Sequence, residues 1–467
     1  MNHVTRRSFV TSATAGAGAF SVGCKHESTA AKTSGSFTHL LEGIGRENVK
    51  ITDVKVTRLG YTAPKGQFVH EVGPIAFTSS SVAVLQVFTD KGIVGIGPGG
   101  GGGQAAGGGA ADYSYLIGKN PFDVELMGLS AGLDVACWDI IGKAKGMPVY
   151  KLLATDNQPN PKVHVYASAG VNWTFYDRGD GRPYGVDALI EEALKFKEMG
   201  FDIYKWRPGT DWEAAGMTAE KMGNVVCRKL REAVGPDFKL VIEKKGWDSW
   251  TYEEAITIAP ILNDLNFYWF EQPWQDVGPA QFEDYLKLKS LMPKVMLFGG
   301  ENFRGIDSAR PFITQRIYDA CQSDTISLGV TQNWYVARLA AFYGIKVVPH
   351  NWSTALGTMC STHLVAGVPS GFLCEYFMYP NTPWRDVLFK EPMAPKNGYI
   401  TLNDKPGFGM ELVDLNDLSK KYPYDPNAPQ SEANPRFPEA AARARAREER
   451  VRAKYTQPPQ PGQQKKK

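Results

Sequence analysis

The chain has 467 residues, of which 43% are hydrophobic and 12% aromatic. This composition supplies enough apolar side chains for more than one folded domain and excludes a largely disordered protein. The 52 basic and 49 acidic residues leave a formal net charge of +3 at pH 7, which is too small to indicate binding to nucleic acid. We therefore expect small molecules as partners.

The N-terminus has the pattern of an export signal. Arg6 and Arg7 precede a mildly apolar stretch of small residues that ends near Cys24, and this order resembles a twin-arginine signal. The stretch is too short and too weakly apolar for a membrane span. We predict that residues 1–34 are an export signal and linker, that the protein is periplasmic, and that it has no integral membrane span. A lipid anchor at Cys24 and a disordered N-terminus are the alternative interpretations.

The next part of the chain predicts a small sheet and a helix. Residues 51–59 and 82–96 alternate apolar and polar side chains around the turn Asp90-Lys91-Gly92, which predicts antiparallel strands. The glycine-rich residues 97–110 lack the lysine of a phosphate loop and favour a flexible loop. Residues 124–142 have apolar side chains at helical spacing and predict an amphipathic helix.

From about Val163, short apolar runs alternate with helical segments, which predicts parallel strands joined by crossover helices. Seven apolar runs close on a polar residue: Lys205, Glu243, Glu271, Glu301, Asp324, His350 and Glu375. These residues recur at about the length of one strand–helix unit, roughly 30 residues. The carboxyl ends of barrel strands meet at one face, where active sites lie. We therefore predict that these seven side chains line one pocket.

Three of the seven are glutamates on consecutive strands: Glu243, Glu271 and Glu301. Unpaired carboxylates that share a pocket repel each other, and a divalent cation removes that repulsion. All-oxygen ligands favour Mg²⁺ or Mn²⁺ over zinc. The sequence therefore predicts a Mg²⁺ site, with Mn²⁺ as the alternative ion. Separate salt bridges would not explain why the three glutamates fall on adjacent strand ends.

The motifs WFEQP, GGEN, YKWR and VVPHNW resemble the enolase superfamily, in particular its mandelate racemase-like branch. The GIVGIG hairpin and AGLDVACWDIIGKAKGMPVYKLL are similar to that family's capping domain and its lead into the barrel. The resemblance extends over about residues 47–415. It implies an α/β fold, namely a modified (β/α)7β barrel with an α+β capping domain, in a homo-oligomer. It places the cap at 47–162, the barrel at 163–378, and a segment that returns to the cap at 379–425.

The resemblance also implies roles for the strand-end residues. The three glutamates would hold a Mg²⁺ ion that acts on the carboxylate of a small-molecule substrate. His350 would be the base or acid, oriented by Asp324. Glu375 would hydrogen-bond the negative charge that develops on the substrate. Asn302, next to Glu301, is a further candidate for substrate binding.

Two strand ends depart from the family pattern. The second barrel strand carries Lys205-Trp206-Arg207 instead of Lys-x-Lys. Arginine is a poor base at neutral pH, so we assign Arg207 as a clamp and leave Lys205 as the candidate for a second base. Lys245 stands where some acid-sugar dehydratases place a catalytic histidine. It would protonate a leaving hydroxyl or bind an anionic group, and a solvated lysine is the plain alternative.

The cap supplies the expected specificity loop at residues 61–80. Lys65 and His70 are its candidates for substrate binding. At the other end of the chain, residues 426–467 are rich in charged residues and proline. We predict that this segment is a solvated, largely disordered tail with one short charged helix.

These assignments predict a Mg²⁺-dependent acid-sugar dehydratase, a hydro-lyase that removes the proton α to a carboxylate and eliminates the β-hydroxyl. One His–Asp dyad with nearby cations suits such an elimination. A racemase or epimerase that uses Lys205 as a second base is the first alternative, and a lactonising or cycloisomerising enzyme is the next. A non-catalytic exported binder of sugar acids is the alternative from another class, although such a protein would not need the dyad.

Overall fold

The computed structural model describes residues 40–456 apart from 66, 73–74, 101–111, 156, 171–184, 209–216, 244–249, 275–277, 353, 379–381 and 434–439. The predicted export signal with Cys24, most of the glycine-rich segment, and Lys245 lie outside the described residues. Within the described part of the chain, no helix is both long and apolar enough to cross a membrane.

The capping domain begins with β1 (Ile51–Thr62), β2 (His70–Val72), β3 (Ile75–Phe77), β4 (Ser79–Thr89), β5 (Val94–Pro98), α1 (Ala131–Lys145) and α2 (Val149–Leu153). Its main sheet is antiparallel, in the order β1-β4-β5, and α1 packs against it. A Cβ atom added at Gly97 of β5 would lie 2.1 Å from the carbonyl oxygen of Gly132. The close packing of α1 on this sheet therefore requires glycine at position 97.

The barrel strands are β6 (Lys162–Ser168), β7 (Ile203–Trp206), β8 (Lys239–Glu243), β9 (Trp269–Glu271), β10 (Met296–Gly299), β11 (Ala320–Cys321), β12 (Lys346–Val347) and β13 (Cys374–Phe377). The helices between them are α3 (Val186–Glu198), α4 (Ala219–Lys221) with the π-helical segment Met222–Cys227 and α5 (Arg228–Val234), α6 (Tyr252–Asp264), α7 (Phe282–Leu291), α8 (Ile306–Thr314), α9 (Thr325–Phe342) and α10 (Ala355–Gly367).

These strands pair in parallel and in chain order from β6 to β12, and β13 pairs with β6. A parallel bridge between Val347 and Gly371 joins β12 to the chain that leads into β13, so the sheet closes on itself. The short strand β14 (Tyr399–Thr401) adds to β6 in the antiparallel direction. The predicted (β/α)7β barrel with an α+β cap is therefore confirmed.

A ring of apolar side chains fills the barrel. Each of the strands β6 to β13 contributes one of these residues, either from the strand itself or from the position next to it. This inner ring consists of Tyr166, Ile203, Val241, Trp269, Phe298, Ala320, Val348 and Leu373. Side chains alternate along a strand, so the residue two positions further on points into the barrel again, at its carboxyl end. The inner ring therefore forms the floor of whatever site lies at that end.

Asp134, a buried carboxylate in α1, joins the cap to the barrel helix α9. Helix α9 is interrupted at Gly329 (φ 77°, ψ −176°), and such a restart leaves backbone N–H groups without partners inside the helix. The N–H groups of Val330 and Thr331 donate to Asp134 Oδ2 at 2.6 and 3.0 Å, and the Thr331 hydroxyl donates to Asp134 Oδ1. A Cβ atom at position 329 would lie 2.4 Å from Asp134 Oδ2. Glycine is therefore required where the cap supplies this carboxylate.

The C-terminal segment does not form the predicted disordered tail in its described part. Strand β15 (Ser431–Ala433) extends a small antiparallel sheet in the order β15-β3-β2, after α11 (Leu415–Lys421) has packed against β1. Helix α12 (Ala440–Thr456) lies on the barrel with Arg447 and Val451 buried. The predicted charged helix is present as α12, but it packs on the barrel instead of being solvated, because its charges meet opposite charges there.

Candidate active site

A layer of polar side chains lies two residues beyond the inner ring, at the carboxyl end of the barrel. This polar layer consists of Ser168, Lys205, Glu243, Glu271, Gln322, His350 and Glu375. On β10 the equivalent position is Gly300, whose positive φ of 101° turns the chain so that Glu301 follows one position later. Strand alternation therefore accounts for most of the strand-end residues that the sequence indicated.

The three predicted metal ligands are brought together. Glu243, Glu271 and Glu301 each offer a carboxylate oxygen, and these atoms all lie within 4.8 Å of one another. The first two side chains are buried and the third is partly buried. A cluster of three carboxylates this close is the arrangement that a hard divalent cation stabilises.

Lys205 lies among the carboxylates and is fully buried. Its Nζ atom is 3.0 Å from Glu243 Oε2 and 2.8 Å from Glu375 Oε1, and it also donates to Glu271 Oε1. The ammonium group is therefore held by three acidic side chains of the protein itself. This geometry differs from that of an opposite-face base, which must be directed at the substrate.

Arg207 lies at the edge of the same cluster of carboxylates and contacts two of them. Its Nη2 atom lies 2.6 Å from Glu243 Oε2 and 3.8 Å from Glu375 Oε1, while Nη1 donates to the Ala169 carbonyl oxygen at 3.2 Å. The guanidinium carbon lies 4.3 Å from the ring centroid of Trp352, within the range of a cation–π contact. The arrangement agrees with a clamp and is unsuited to proton abstraction.

Charge crowding shifts the pKa values of this cluster. Burial lowers the pKa of Lys205, and the neighbouring Glu243, Glu271 and Glu375 carboxylates raise it. The carboxylates have the larger effect, so the pKa of Lys205 lies above its usual range. Burial also raises the pKa of Glu271; the Lys205 charge opposes this, and the Glu243 and Glu375 carboxylates add to it. Among the described residues, the carboxylates of this cluster outnumber its cations.

Glu375 is a fully buried hydrogen-bond acceptor. Ser168 Oγ donates to its Oε1 atom at 2.6 Å, and the Asn351 backbone N–H donates to its Oε2 atom at 2.9 Å. The Asn351 side-chain amide also donates to the Glu375 carbonyl oxygen at 3.1 Å. Glu375 therefore fixes the chain directly after His350.

The environment of Glu375 bears on its predicted role. Burial raises the pKa of Glu375, but the charges of Lys205, His350 and Arg207 outweigh burial and bring the pKa to about 2. A carboxyl group donates a hydrogen bond only when it is protonated. The predicted hydrogen bond from Glu375 to the substrate requires the protonated form and stays a prediction, whereas the contacts of Glu375 hold Lys205 and Asn351.

His350 and Asp324 form a hydrogen-bonded pair, with Nδ1 and Oδ2 2.7 Å apart. Burial raises the pKa of Asp324, but the hydrogen bond from His350 and that residue's charge lower it below its usual value. An ionised carboxylate only accepts hydrogen bonds, so Nδ1 carries a proton and Nε2 is the ring nitrogen left to face the cluster. Asp324 also accepts from the Ser327 N–H at 2.8 Å and so caps α9. The basic Nε2 atom lies 3.7 Å from Glu301 Oε2, which places it beside the carboxylate cluster.

The residues at this face that were not predicted include Trp269 and Gln322. Trp269 Nε1 donates to Glu271 Oε2 at 2.9 Å, so the inner ring orients one of the acidic side chains above it. Gln322 is buried, and its Nε2 atom has no hydrogen-bond partner among the described residues. Counting two residues from each apolar ring position would have found Gln322 in the sequence.

The donor set of this face fits a divalent cation. Among the described residues, five carboxylates gather here against two permanent cations: Glu243, Glu271, Glu301, Asp324 and Glu375 against Lys205 and Arg207. A buried excess of negative charge is unfavourable unless a cation offsets it. The three clustered oxygens from Glu243, Glu271 and Glu301 match the ligand preference of Mg²⁺ or Mn²⁺.

The remaining predicted residues are placed as follows. Asn302 is exposed next to Glu301, and Lys65 is exposed in the cap between β1 and β2. The backbone of His70 begins β2, but its side chain lies outside the described residues, as does all of Lys245. Their roles in substrate binding and catalysis stay predictions.

Comparisons with known proteins agree with this geometry. Residues 188–415 match the family model described as enolase C-terminal domain-like. D-galactarolactone cycloisomerase from Agrobacterium fabrum is 26% identical over 73% of this chain and 92% of its own length. Arabinonate dehydratase from Saccharolobus solfataricus is 26% identical over 62% of this chain and 71% of its own length.

A solved structure shows the same fold. The 3,6-anhydro-D-galactonate cycloisomerase from Zobellia galactanivorans superimposes with a TM-score of 0.63 at 24% identity, over 80% of this chain and 100% of that chain. The matched barrel, the strand-end carboxylates and the relatives lead to one assignment. Over its barrel, residues 188–415, the chain matches the enolase C-terminal domain-like family, and its fold is that of the solved cycloisomerase.

Proposed function

We propose that this protein is a Mg²⁺-dependent acid-sugar dehydratase. The observation that carries the proposal is the position of the His350–Asp324 pair, whose basic Nε2 atom lies 3.7 Å from a carboxylate oxygen of Glu301. A base beside a cluster of metal-binding carboxylates can reach a proton next to a substrate carboxylate held at that cluster. The named sugar-acid dehydratase among the relatives supports the same class of substrate.

Glu243, Glu271 and Glu301 would hold the ion through their clustered oxygens. When bound, Mg²⁺ supplies positive charge to the substrate carboxylate and so stabilises the negative charge that forms when the α-proton leaves. Lys205 and Arg207 orient these ligands through their contacts with Glu243. Members of this superfamily generally use Mg²⁺, and the all-oxygen donor set agrees with that ion.

The proton steps belong to His350. Nε2 takes the α-proton as the C–H bond breaks, and the electron pair forms the new double bond as the β-hydroxyl leaves. The imidazolium returns its proton to the leaving oxygen, which departs as water. The enol product then tautomerises to a 2-keto-3-deoxy acid. Asp324 keeps the imidazole in the tautomer that this sequence of transfers requires.

The surroundings of Lys205 favour elimination over two-base racemisation. A racemase needs a second base on the opposite face of the substrate, and Lys205 is instead fully buried and held by Glu243, Glu271 and Glu375. Dehydration needs only one residue that takes and returns a proton. Cycloisomerisation also needs only one such residue, and the relative named a cycloisomerase makes it the second candidate.

Proton NMR in D₂O tests the proposal. The purified protein with Mg²⁺ is incubated with a panel of aldonates and aldarates that includes arabinonate, and the α-proton of each is followed. We expect loss of that signal with formation of a 2-keto-3-deoxy acid. Deuterium incorporation without elimination would identify an epimerase, and ring closure or opening would identify a cycloisomerase. Ligand binding by both the parent and a His350→Asn variant, without turnover of any ligand, would identify a binding protein.

We also propose that the protein is exported by the twin-arginine route. The support is Arg6-Arg7 followed by a stretch of small residues, in a part of the chain outside the described residues. Replacing both arginines by lysine should shift the expressed protein from the periplasmic to the cytoplasmic fraction. Equal periplasmic amounts of the parent and the double variant would reject this route.

A further inference from the structure

Helix α12 lies outside residues 188–415, the part of the chain that matches the family, yet it contacts the barrel near the carboxyl ends of β8 and β9. Its main anchor is Arg447, which is 2% exposed. Arg447 Nη2 donates to both carboxylate oxygens of Glu254, at 2.5 and 2.6 Å. A buried arginine paired in this way fixes the position of its partner.

Glu254 begins helix α6 through a capping box. Its Oε2 atom accepts from the Thr251 N–H at 2.8 Å, and its own N–H donates to Thr251 Oγ1 at 3.3 Å. Helix α6 follows the loop that leaves Glu243 at the end of β8. Arg447 therefore holds the residue that sets where this loop ends.

The start of α6 is tied in turn to the loop after β9. The backbone N–H of the fully buried Trp250 donates to the Pro273 carbonyl oxygen at 2.8 Å, and Pro273 is two residues beyond Glu271. Trp250 also packs edge-to-face on Phe270 of β9, with ring centroids 6.0 Å apart. The loops that follow two predicted metal ligands are thus joined to each other.

A second contact from α12 reinforces the same junction. Lys454 Nζ lies 2.8 Å from Asp284 Oδ2 at the start of α7 and 3.1 Å from the ring centroid of Tyr252. Tyr252 packs against Trp274, which follows Pro273. Helix α12 therefore spans the starts of α6 and α7, and each of these helices follows a loop from a strand that ends in a predicted ligand.

We propose that α12 is a positioning element of the active site, which fixes the described residues Trp250, Thr251 and Pro273 that flank the predicted metal ligands Glu243 and Glu271, and so favours metal binding. The inference rests on the proposed function, because it concerns the metal site of that reaction. Groups outside the ligand shell raise metal affinity by fixing the ligands before the ion arrives. Arg447 acts through Glu254, and neither side chain needs to touch the substrate.

The test compares three single variants of the full chain. Arg447→Ala removes the anchor, Arg447→Lys keeps the charge but replaces the planar guanidinium, and Arg445→Ala changes an exposed arginine of the same helix. The dissociation constant of Mn²⁺ is measured by electron paramagnetic resonance, without substrate. We expect Arg447→Ala to weaken Mn²⁺ binding roughly tenfold, Arg447→Lys to weaken it less, and Arg445→Ala to leave it unchanged.

Two further readouts separate positioning from general loss of stability. Hydrogen exchange should be faster at the Trp250 and Thr251 amides in Arg447→Ala, while the melting temperature in EDTA stays near that of the parent. Raising the Mg²⁺ concentration should restore the dehydration rate of Arg447→Ala. Equal Mn²⁺ affinity and equal exchange in Arg447→Ala and the parent would overturn the inference.

Failure of the proposed reaction would be visible separately. A parent protein that binds Mn²⁺ but dehydrates no sugar acid would reject the dehydratase, and the Mn²⁺ affinities of the variants would still decide the role of α12. A chain that ends at residue 439 should show the largest loss of Mn²⁺ affinity. If that shortened chain does not fold, the Arg447 variants decide alone.

Discussion

Asp134 and Glu271 are both buried carboxylates, but their surroundings differ in kind. Asp134, at the joint between cap and barrel, accepts hydrogen bonds from the Val330 and Thr331 backbone and from the Thr331 hydroxyl. Glu271, at the end of β9, shares Lys205 with Glu243 and Glu375, and one of its carboxylate oxygens lies within 4.8 Å of those of Glu243 and Glu301. The first carboxylate is surrounded by neutral donors, whereas the second shares one cation with other carboxylates.

This difference separates a structural acid from a functional one. Neutral donors satisfy a buried carboxylate without any external group, so it holds two parts of the fold together. Carboxylates that crowd each other destabilise the fold unless a cation joins them, so such a cluster indicates a binding site. The predictions below test whether Glu271 is needed for activity and Asp134 for stability.

Glu271→Gln should cause the largest change. It removes the charge of one ligand while keeping its shape, so we expect dehydration to fall at least roughly 1,000-fold, because the metal contributes several kcal/mol to the transition state. Mn²⁺ affinity should fall with it, and the circular dichroism spectrum should not change. The NMR assay and a Mn²⁺ titration measure both quantities. Unchanged activity would show that the assignment of the metal site is wrong.

His350→Asn should remove the chemistry and keep the metal. The loss of a general base costs about 100- to 10,000-fold in rate, while the three carboxylate ligands remain in place. Dehydration is followed by NMR and Mn²⁺ affinity by titration. A variant that loses Mn²⁺ binding together with activity would show that His350 belongs to the metal site. It would contradict the assignment of proton transfer to His350 and of metal binding to the three glutamates.

Asp134→Ala should change stability and not catalysis. It leaves the buried N–H groups of Val330 and Thr331 without their acceptor, which costs about 2 to 6 kcal/mol of unfolding free energy at about 1–3 kcal/mol for each unsatisfied group. The rate per folded molecule should equal that of the parent. Urea unfolding and the NMR assay measure the two effects. A lower rate without a loss of stability would place Asp134 among the functional acids.

Asp134→Asn should reveal the pH dependence of the same joint. Burial raises the pKa of Asp134 from 3.8 to about 6 in the folded protein, although the hydrogen bonds from Thr331 and Val330 oppose the rise. A raised pKa means that the stabilising contribution is fully present below pH 4 and is lost as the pH rises from about 4 to 6. At neutral pH this loss is on the order of 3 kcal/mol for a shift of about two pKa units.

Asparagine does not titrate, so the unfolding free energy of Asp134→Asn relative to the parent should rise as the pH increases from 4 to 7. Urea unfolding at several pH values in this window measures the difference between the two proteins, which removes the contribution of other titrating groups. A difference that stays constant with pH would show that Asp134 does not titrate in this range.

The strand-end pattern carried most of the prediction. Glu243, Glu271 and His350 each close an apolar run at the spacing of one strand–helix unit, and a closed parallel barrel brings such positions to one face. Local sequence was therefore sufficient to place them. The pairing of His350 with Asp324 at 2.7 Å also follows from adjacent strand ends.

The partners of these residues were harder to predict. Nothing local to Lys205 indicates that its ammonium group lies among Glu243, Glu271 and Glu375. The docking of α12 through Arg447 and Glu254 joins residues 193 positions apart. Such contacts depend on which charged surfaces the fold brings together. Amino-acid composition does not predict these pairs.

The sequence by itself determined the class of fold, the strand-end acids and the dyad, because alternation along strands and the repeat of strand–helix units are local properties of the chain. Only the tertiary structure decided how charge is distributed at the site and which segments support it. Electrostatic pairing depends on distance and burial in three dimensions, and Lys205, Glu375 and Arg447 acquire their roles only when the barrel, the cap and the C-terminal helix are assembled.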